Sequence, residues 1–149
     1  MHTRIATRED FSALYKLGAE TPEFKVSAIA PFMDEDEFMN AIENPMGVFL
    51  LAEEGKDIVG FLYANRQDPE RAPDTSWVCL VYLVIRREYR KYGLAQRLYD
   101  ACVAELKTDG TTTHLYGWAN AESDGSMLGF FKKNGFSEGH KYVWMDKKL

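Results

Sequence analysis

A cluster of basic residues precedes one glycine, Gly93, in the middle of the chain: Arg86, Arg87, Arg90 and Lys91. A helical pattern begins directly after the glycine. The first backbone N–H groups of a helix have no partner inside it and lie at the positive end of the helix dipole. Because glycine has no Cβ atom, an anion can approach those groups closely. The stretch therefore predicts a site for a pyrophosphate group.

The basic cluster contrasts with an acidic chain. The 149 residues carry a formal net charge of -5, whereas residues 86–97 contain five basic residues and one acid. A general nucleic-acid-binding protein would show a broad basic surface, so we expect a small anionic ligand and no nucleic acid. The stretch matches neither the GxxxxGK phosphate loop nor the GxGxxG turn of dinucleotide-binding domains.

The elements around the cluster predict how it is positioned. Residues 75–85, TSWVCLVYLVI, are the most apolar segment and are typical of a central strand. A helix is predicted over 93–108, where leucines and Cys102 recur every four residues. The other predicted strands are 2–6, 48–53, 58–64, 111–118 and 141–145, and the other predicted helices are 8–20, 34–43 and 126–133. This order predicts one α/β domain over residues 1–149.

Composition also limits the setting and the chemistry. No apolar run reaches the length of a membrane helix, and the first residues, MHTRIATRED, do not form a signal peptide, so we expect a cytoplasmic protein without a membrane partner. Cys79 and Cys102 lack metal-site spacing and are interpreted as buried free thiols. The histidines show no metal-ligand pattern either, so no metal is expected.

Two motifs in this order resemble landmarks of one family. Residues 90–95, RKYGLA, resemble the acyl-CoA signature R/Q-x-x-G-x-G/A of the GNAT acetyltransferase superfamily, and residues 130–136, FFKKNGF, resemble its second landmark, FYxKxGF. The resemblance implies the GNAT acyl-CoA N-acyltransferase fold, of class α/β (α+β). In that fold a central mixed, mostly antiparallel sheet of six to seven strands is flanked by about four helices.

The resemblance also implies a binding site for acetyl-CoA. Backbone N–H groups of residues 90–95 would hold the pyrophosphate, and the end of the preceding strand would pair with the pantetheine amides as an added strand does. Asn120 is carried as a weak pantetheine contact, since the family asparagine falls at Asp124 by strict spacing. The implied cofactor-binding residues are Leu83, Val84, Ile85, Arg90, Lys91, Tyr92, Gly93, Leu94, Ala95, Gln96, Asn120 and Phe131.

The sequence departs from the family pattern at two positions that concern catalysis. Phe131 stands where a tyrosine often protonates the leaving thiolate, and residues 75–85 contain no acidic residue to act as a base. Water or another side chain would then transfer the protons. The candidate catalytic residues are Tyr82, in the strand, and Glu122, with Asp124 as an alternative carboxylate.

The function implied is transfer of the acetyl group of acetyl-CoA directly to a primary amine of a small molecule or peptide. The alternative is a non-catalytic acyl-CoA-binding module, which the two departures would suit. A third hypothesis is a protein-interaction domain that has lost the cofactor. The oligomeric state stays open, although the resemblance allows a homodimer.

Overall fold

The described part of the chain forms a sheet of five strands that lie side by side in chain order. They are β1 (His2–Ile5), β2 (Gly47–Glu54), β3 (Asp57–Asn65), β4 (Trp77–Ile85) and β5 (His114–Gly117). The pairs β1–β2, β2–β3 and β3–β4 are antiparallel, whereas β4 and β5 are parallel. These elements belong to a computed structural model that describes residues 1–25, 27–29, 33–66, 77–108, 110–122 and 126–149.

Within the described residues, four α-helices cover the two faces of the sheet. They are α1 (Phe11–Ala19), α2 (Glu35–Glu43), α3 (Leu94–Lys107) and α4 (Ser126–Lys133). Helices α1 and α2 bury Leu14 and Phe38 against one face, and α3 buries Leu98 against the other. Because side chains alternate along a strand, β2 supplies Leu50 to the α3 layer and Leu51 to the α1–α2 layer. This arrangement confirms the predicted α/β class.

Several predicted boundaries are confirmed by backbone geometry. The β2–β3 hairpin turns at Gly55, and α4 ends before Gly135, and both glycines have positive φ, at 64° and 82°. Gly93 is the residue before α3, also with positive φ. The predicted helix 8–20 consists of a 3-10 turn, Arg8–Asp10, followed by α1.

Two predictions about the sheet are wrong for the described residues. The sheet has five strands instead of six to seven, and residues 141–145 do not form a strand. Their apolar pattern suits a strand, but no described strand lies beside them to complete a hydrogen-bonded ladder. The predicted start of β4, residues 75 and 76, and most of the loop 65–74 lie outside the described residues.

Cys79 and Cys102 are not joined in a disulfide, and they differ in burial. Cys102 is buried in the α3 layer, which raises the pKa of its thiol to about 12. Cys79 is only half-buried. Cys102 therefore confirms the prediction of a buried thiol, whereas Cys79 meets it in part. No helix in the described part of the chain is long and apolar enough to cross a membrane.

Candidate functional site

The predicted anion site lies at the start of α3. The first intrahelical hydrogen bond runs from the N–H of Arg97 to the carbonyl oxygen of Gly93, at 3.1 Å. The N–H groups of the first three helical residues, Leu94, Ala95 and Gln96, therefore have no acceptor within the helix. The Leu94 side chain is buried in the core, so this residue can offer a ligand only its backbone.

Two residues of this turn adopt left-handed backbone conformation. Gly93 has φ 75° and Lys91 has φ 71°, and Lys91 is the one non-glycine residue with positive φ in the described part of the chain. Turns that mix left-handed and right-handed residues form concavities lined by N–H groups, which bind anions. A Cβ atom at Gly93 would contact nothing within 4 Å, so the turn is open in front of the helix. The site fits a pyrophosphate.

The side chains of the basic cluster have different surroundings. Arg90 donates from Nε to the Ile85 carbonyl oxygen at 3.0 Å and from Nη1 to Glu23 Oε1 at 2.6 Å. Arg86 donates to the Ile58 carbonyl oxygen at 3.0 Å. Lys91 and Tyr92, in contrast, are exposed at the turn. Arg90 and Arg86 thus stabilise the end of β4, and Lys91 keeps its charge in solvent.

A fork opens between β4 and β5 beside the turn. Their pairing ends at Leu80 and Gly117, whereas β4 continues along β3 as far as Ile85. In the described residues, the backbone of Leu83, Val84 and Ile85 therefore has no strand on its β5 side. An extended amide chain can pair there as an added strand does.

The fork is accompanied by a β-bulge in β4. The β3–β4 register shifts so that Val81 has no opposite residue between Leu80 and Tyr82. Val78 and Leu80 pack into the α3 layer before the shift, whereas Leu83 and Ile85 do so after it. The extra residue thus turns Tyr82 toward the α1–α2 layer. Sequence reasoning did not predict this bulge.

Tyr82 lies beside a groove on the α1–α2 face. Its ring contacts the ring of Phe24 edge-on, with centroids 5.2 Å apart, and stacks near Tyr63. The groove is lined by Met33, Glu37, Asn40, Ala41, Glu43, Asn44, Pro45, Tyr63, Asn65 and Val81. Burial raises the pKa of the Tyr82 phenol above its ordinary value, and the negative charge of Glu37 raises it further by a smaller amount. The phenol is therefore a neutral hydrogen-bond donor at neutral pH.

Phe131 lies where the fork begins. Its ring is buried against Phe136, and its Cζ atom would be 2.7 Å from a Cβ atom at Gly117. The aromatic ring therefore fills the space that glycine leaves at the end of β5. The Phe131 ring has no proton to donate to a leaving group, as the sequence analysis stated.

The remaining predicted residues connect the two motifs or lie exposed. Gln96 donates to Asn134 Oδ1 at 2.8 Å, so the start of α3 is tied to the end of α4. Asn120 accepts a hydrogen bond from the N–H of Glu122 at 2.8 Å, and both side chains are exposed between β5 and α4. Asp124 lies outside the described residues. No cluster of three metal-ligating side chains occurs in the described ranges.

The family is decided by a match over most of the chain. Residues 11–136 match the model of the Acetyltransferase (GNAT) family. The chain belongs to this family. The fork, the bulge and the start of α3 all lie within the matched residues. No curated protein matches the chain significantly.

Solved structures share the fold of this GNAT domain at low sequence identity. An aminoglycoside acetyltransferase from an uncultured soil metagenomic sample, in complex with trehalose, has a TM-score of 0.74 at 14% identity, covering 99% of this chain and 95% of its own. The PaiA N-acetyltransferase of Thermoplasma acidophilum, in complex with coenzyme A, has a TM-score of 0.74 at 20% identity, covering 95% and 93%. The aminoglycoside 6'-N-acetyltransferase AAC(6')-IG of Acinetobacter haemolyticus has a TM-score of 0.73 at 17% identity, covering 100% and 99%.

Proposed function

We propose that the protein is an N-acetyltransferase that uses acetyl-CoA to acetylate a primary amine of a small molecule or peptide. The observation that carries the proposal is the open fork of β4 beside the first N–H groups of α3, which have no acceptor within the helix. One feature suits an extended amide chain and the other suits a pyrophosphate, and CoA contains both. Structural relatives that were solved in complex with coenzyme A support the proposal that this chain binds it.

The cofactor would be held mainly by backbone atoms. The N–H groups of Leu94, Ala95 and Gln96 would bind the pyrophosphate, with the charge of Lys91 in support. The backbone of residues 83–85 would pair with the pantetheine arm. Asn120, Tyr92 and Phe131 complete the proposed set. Bound there, acetyl-CoA supplies an activated acetyl group as a thioester.

The amine would approach from the groove on the α1–α2 face. Glu37 lines that groove, and no cation pairs with it among the described residues, so its carboxylate can attract an ammonium group. Tyr82 borders the groove and would donate its phenolic proton to the departing thiolate. Glu122 remains the proposed proton acceptor, by way of water, because β4 carries no carboxylate.

The second candidate function is a CoA-binding module without turnover. Phe131 favours it, since the ring at the fork cannot donate a proton. The third hypothesis, a protein-interaction domain that has lost the cofactor, predicts no binding of acetyl-CoA at all. We further propose a single domain over residues 1–149 and a cytoplasmic location.

The experiment that separates these candidates has two readouts. Thermal unfolding with and without acetyl-CoA reports binding, and release of free CoA thiol with spermidine, an aminoglycoside and a lysine-containing peptide reports turnover. The proposed enzyme is stabilised by acetyl-CoA and releases thiol with at least one amine. Stabilisation without acetylated product from any amine would favour the binding module, and no stabilisation would remove both.

A further inference from the structure

The phenol of Tyr63 lines the groove on the α1–α2 face and holds a proton that no described residue accepts. Tyr63 is only 4% exposed, and its hydroxyl oxygen accepts a hydrogen bond from Asn44 Nδ2 at 3.0 Å. Among the described residues, no acceptor lies within hydrogen-bond distance of the phenolic O–H itself. Buried donors are nearly always paired, because an unmade bond costs free energy. The phenol therefore points to a partner that occupies the groove.

The orientation of Asn44 leaves this proton for the groove. The N–H of Met46 donates to Asn44 Oδ1 at 2.9 Å, so the amide nitrogen must face Tyr63 and also Asn65 Oδ1, which lies 3.1 Å away. An amide nitrogen only donates, so the Tyr63 oxygen accepts and its own proton stays available. Burial raises the pKa of this phenol by more than the hydrogen bond from Asn44 lowers it. Tyr63 is therefore a neutral donor at neutral pH.

The charges of the groove limit which ligand atom can accept this proton. Glu37 and Glu43 line the groove, and its described lining contains no basic residue. A carboxylate or phosphate oxygen is disfavoured there, because like charges repel. A protonated amine has no lone pair with which to accept a hydrogen bond. A neutral oxygen atom, such as that of a hydroxyl or an ether, satisfies both conditions.

We propose that Tyr63 is a specificity-determining residue, which selects an acetyl acceptor that carries a hydroxyl or ether oxygen besides its primary amine. Alkylamines and polyamines without such an oxygen are disfavoured. The inference rests on the proposed acetyl transfer, since it concerns the acceptor groove of that reaction. The rings of Tyr63 and Tyr82 have centroids 6.5 Å apart. With C–C bonds of about 1.5 Å, the oxygen and the reacting nitrogen should be about four to six bonds apart.

The test compares amines that differ in one group. Linear amino alcohols with about three to five carbons between nitrogen and oxygen are each compared with two analogues. One is the alkylamine in which a methyl group replaces the hydroxyl. The other is the methyl ether, which accepts a hydrogen bond but cannot donate one. Calorimetry in the presence of CoA gives the Kd of each amine, and kcat/KM for acetylation is the second readout.

At the best chain length, we expect the alcohol and the ether to bind about tenfold more tightly than the alkylamine. This is the upper value for one neutral hydrogen bond. A site that is built to donate to a ligand oxygen rejects the analogue that lacks it, because its own polar group is then left unpaired.

Two variants remove the phenolic proton from the groove in different ways. Tyr63→Phe lacks the hydroxyl, while Asn44 keeps its hydrogen bond to Asn65 Oδ1. Asn44→Asp retains the phenol, but its carboxylate accepts the phenolic proton and so turns the donor away from the ligand. In both variants the alcohol, the ether and the alkylamine should bind within about twofold of one another. Tyr99→Phe, on the α3 side of the sheet, is the control and should keep the tenfold preference.

The preference between matched amines is the deciding readout, because a purely structural role of Tyr63 would weaken all amines alike. A wild type that binds alcohol and alkylamine equally, or binds neither, overturns the inference. A preference that survives in Tyr63→Phe also overturns it. The two proposals fail in different ways: acetylated product without a preference contradicts only the role of Tyr63. A Tyr63-dependent preference in binding, without product from any amine, contradicts only the acetyl transfer.

Discussion

Arg90, in the turn before α3, forms an ion pair with Glu23, with 2.6 Å between Nη1 and Oε1. Glu23 precedes Phe24, whose ring packs against Tyr82. The hydrogen bond from Arg90 lowers the pKa of the Glu23 carboxyl, and burial raises it by less. The pKa of this carboxyl therefore lies below its usual value. The Glu23 carboxylate thus pairs with the Arg90 guanidinium group, which could otherwise bind a phosphate.

Glu23→Gln is therefore expected to bind CoA more tightly. The substitution removes a negative charge near the anion site and frees Arg90, and a partly exposed pair of this kind limits the gain to about fivefold. The KM for the amine should rise, because Phe24 loses its anchor. Calorimetry with CoA and steady-state kinetics measure the two effects. Glu20→Gln, which breaks the exposed pair with Lys16, serves as control. Weaker CoA binding by Glu23→Gln would contradict this role of the pair.

Gly117→Ala is expected to destabilise the protein by about 1–3 kcal/mol, because a new Cβ atom would lie 2.7 Å from Phe131 and 3.0 Å from the Leu80 carbonyl oxygen. Urea unfolding measures the change. The control is Gly129→Ala within α4, where the Cβ atom meets open space, so stability should stay the same or rise by up to about 1 kcal/mol. Equal effects of the two substitutions would rule out close packing at the fork.

Asp10 gives the fold a defined acid sensitivity. Hydrogen bonds from Arg4 lower the pKa of Asp10 by more than burial raises it. The pKa falls from 3.8 to about 2. Because the folded-state pKa is the lower one, the contribution to stability is complete above pH 3.8 and is lost as the pH falls toward 2. Asp10→Asn should therefore cost on the order of 1 kcal/mol at pH 7, since the pair is partly exposed. The difference from wild type should shrink as the pH falls through 2 and vanish below it.

Urea unfolding of wild type and Asp10→Asn across this pH range is the measurement. Asp57→Asn, at the exposed start of β3, should not alter the acid sensitivity. A difference between Asp10→Asn and wild type that stays constant down to pH 2 would contradict the assignment to Asp10.

Tyr82→Phe should lower kcat by about 10²-fold or more if this phenol protonates the thiolate. Its raised pKa keeps the proton in place, so ionisation of Tyr82 should not reduce activity at pH values up to its ordinary value of 10. Tyr99→Phe, on the α3 side of the sheet, is the control. Stopped assays of acetylated amine give kcat for each variant. If the kcat of Tyr82→Phe stays within twofold of wild type, water and not Tyr82 protonates the thiolate.

The turn before α3 could be predicted from the sequence because its signals are local. Gly93, the basic residues and the four-residue spacing of α3 all lie within one short stretch. The positive φ of Lys91 was not predicted, since lysine has no preference for that conformation.

The features missed from the sequence depend on long-range pairing. The bulge at Val81 exists only because β3 and β4 pair in a shifted register. Glu23 lies 67 residues from Arg90 in the chain, so no spacing rule connects them. The wrong strand at 141–145 has a related cause: an apolar pattern indicates strand preference but does not supply the neighbour that a strand needs.

The central claim is that backbone N–H groups at the start of α3 bind the pyrophosphate of CoA. Isothermal titration calorimetry with CoA at low ionic strength tests it most directly, on wild type, Gly93→Glu and Gly55→Glu. Both glycines have positive φ and open space around them, so the two variants carry the same charge and the same backbone strain. We predict one CoA bound per chain by wild type and Gly55→Glu, with affinity reduced at least about tenfold in Gly93→Glu by repulsion and obstruction at the anion site. No heat with wild type, or equal affinity in all three, would contradict the claim.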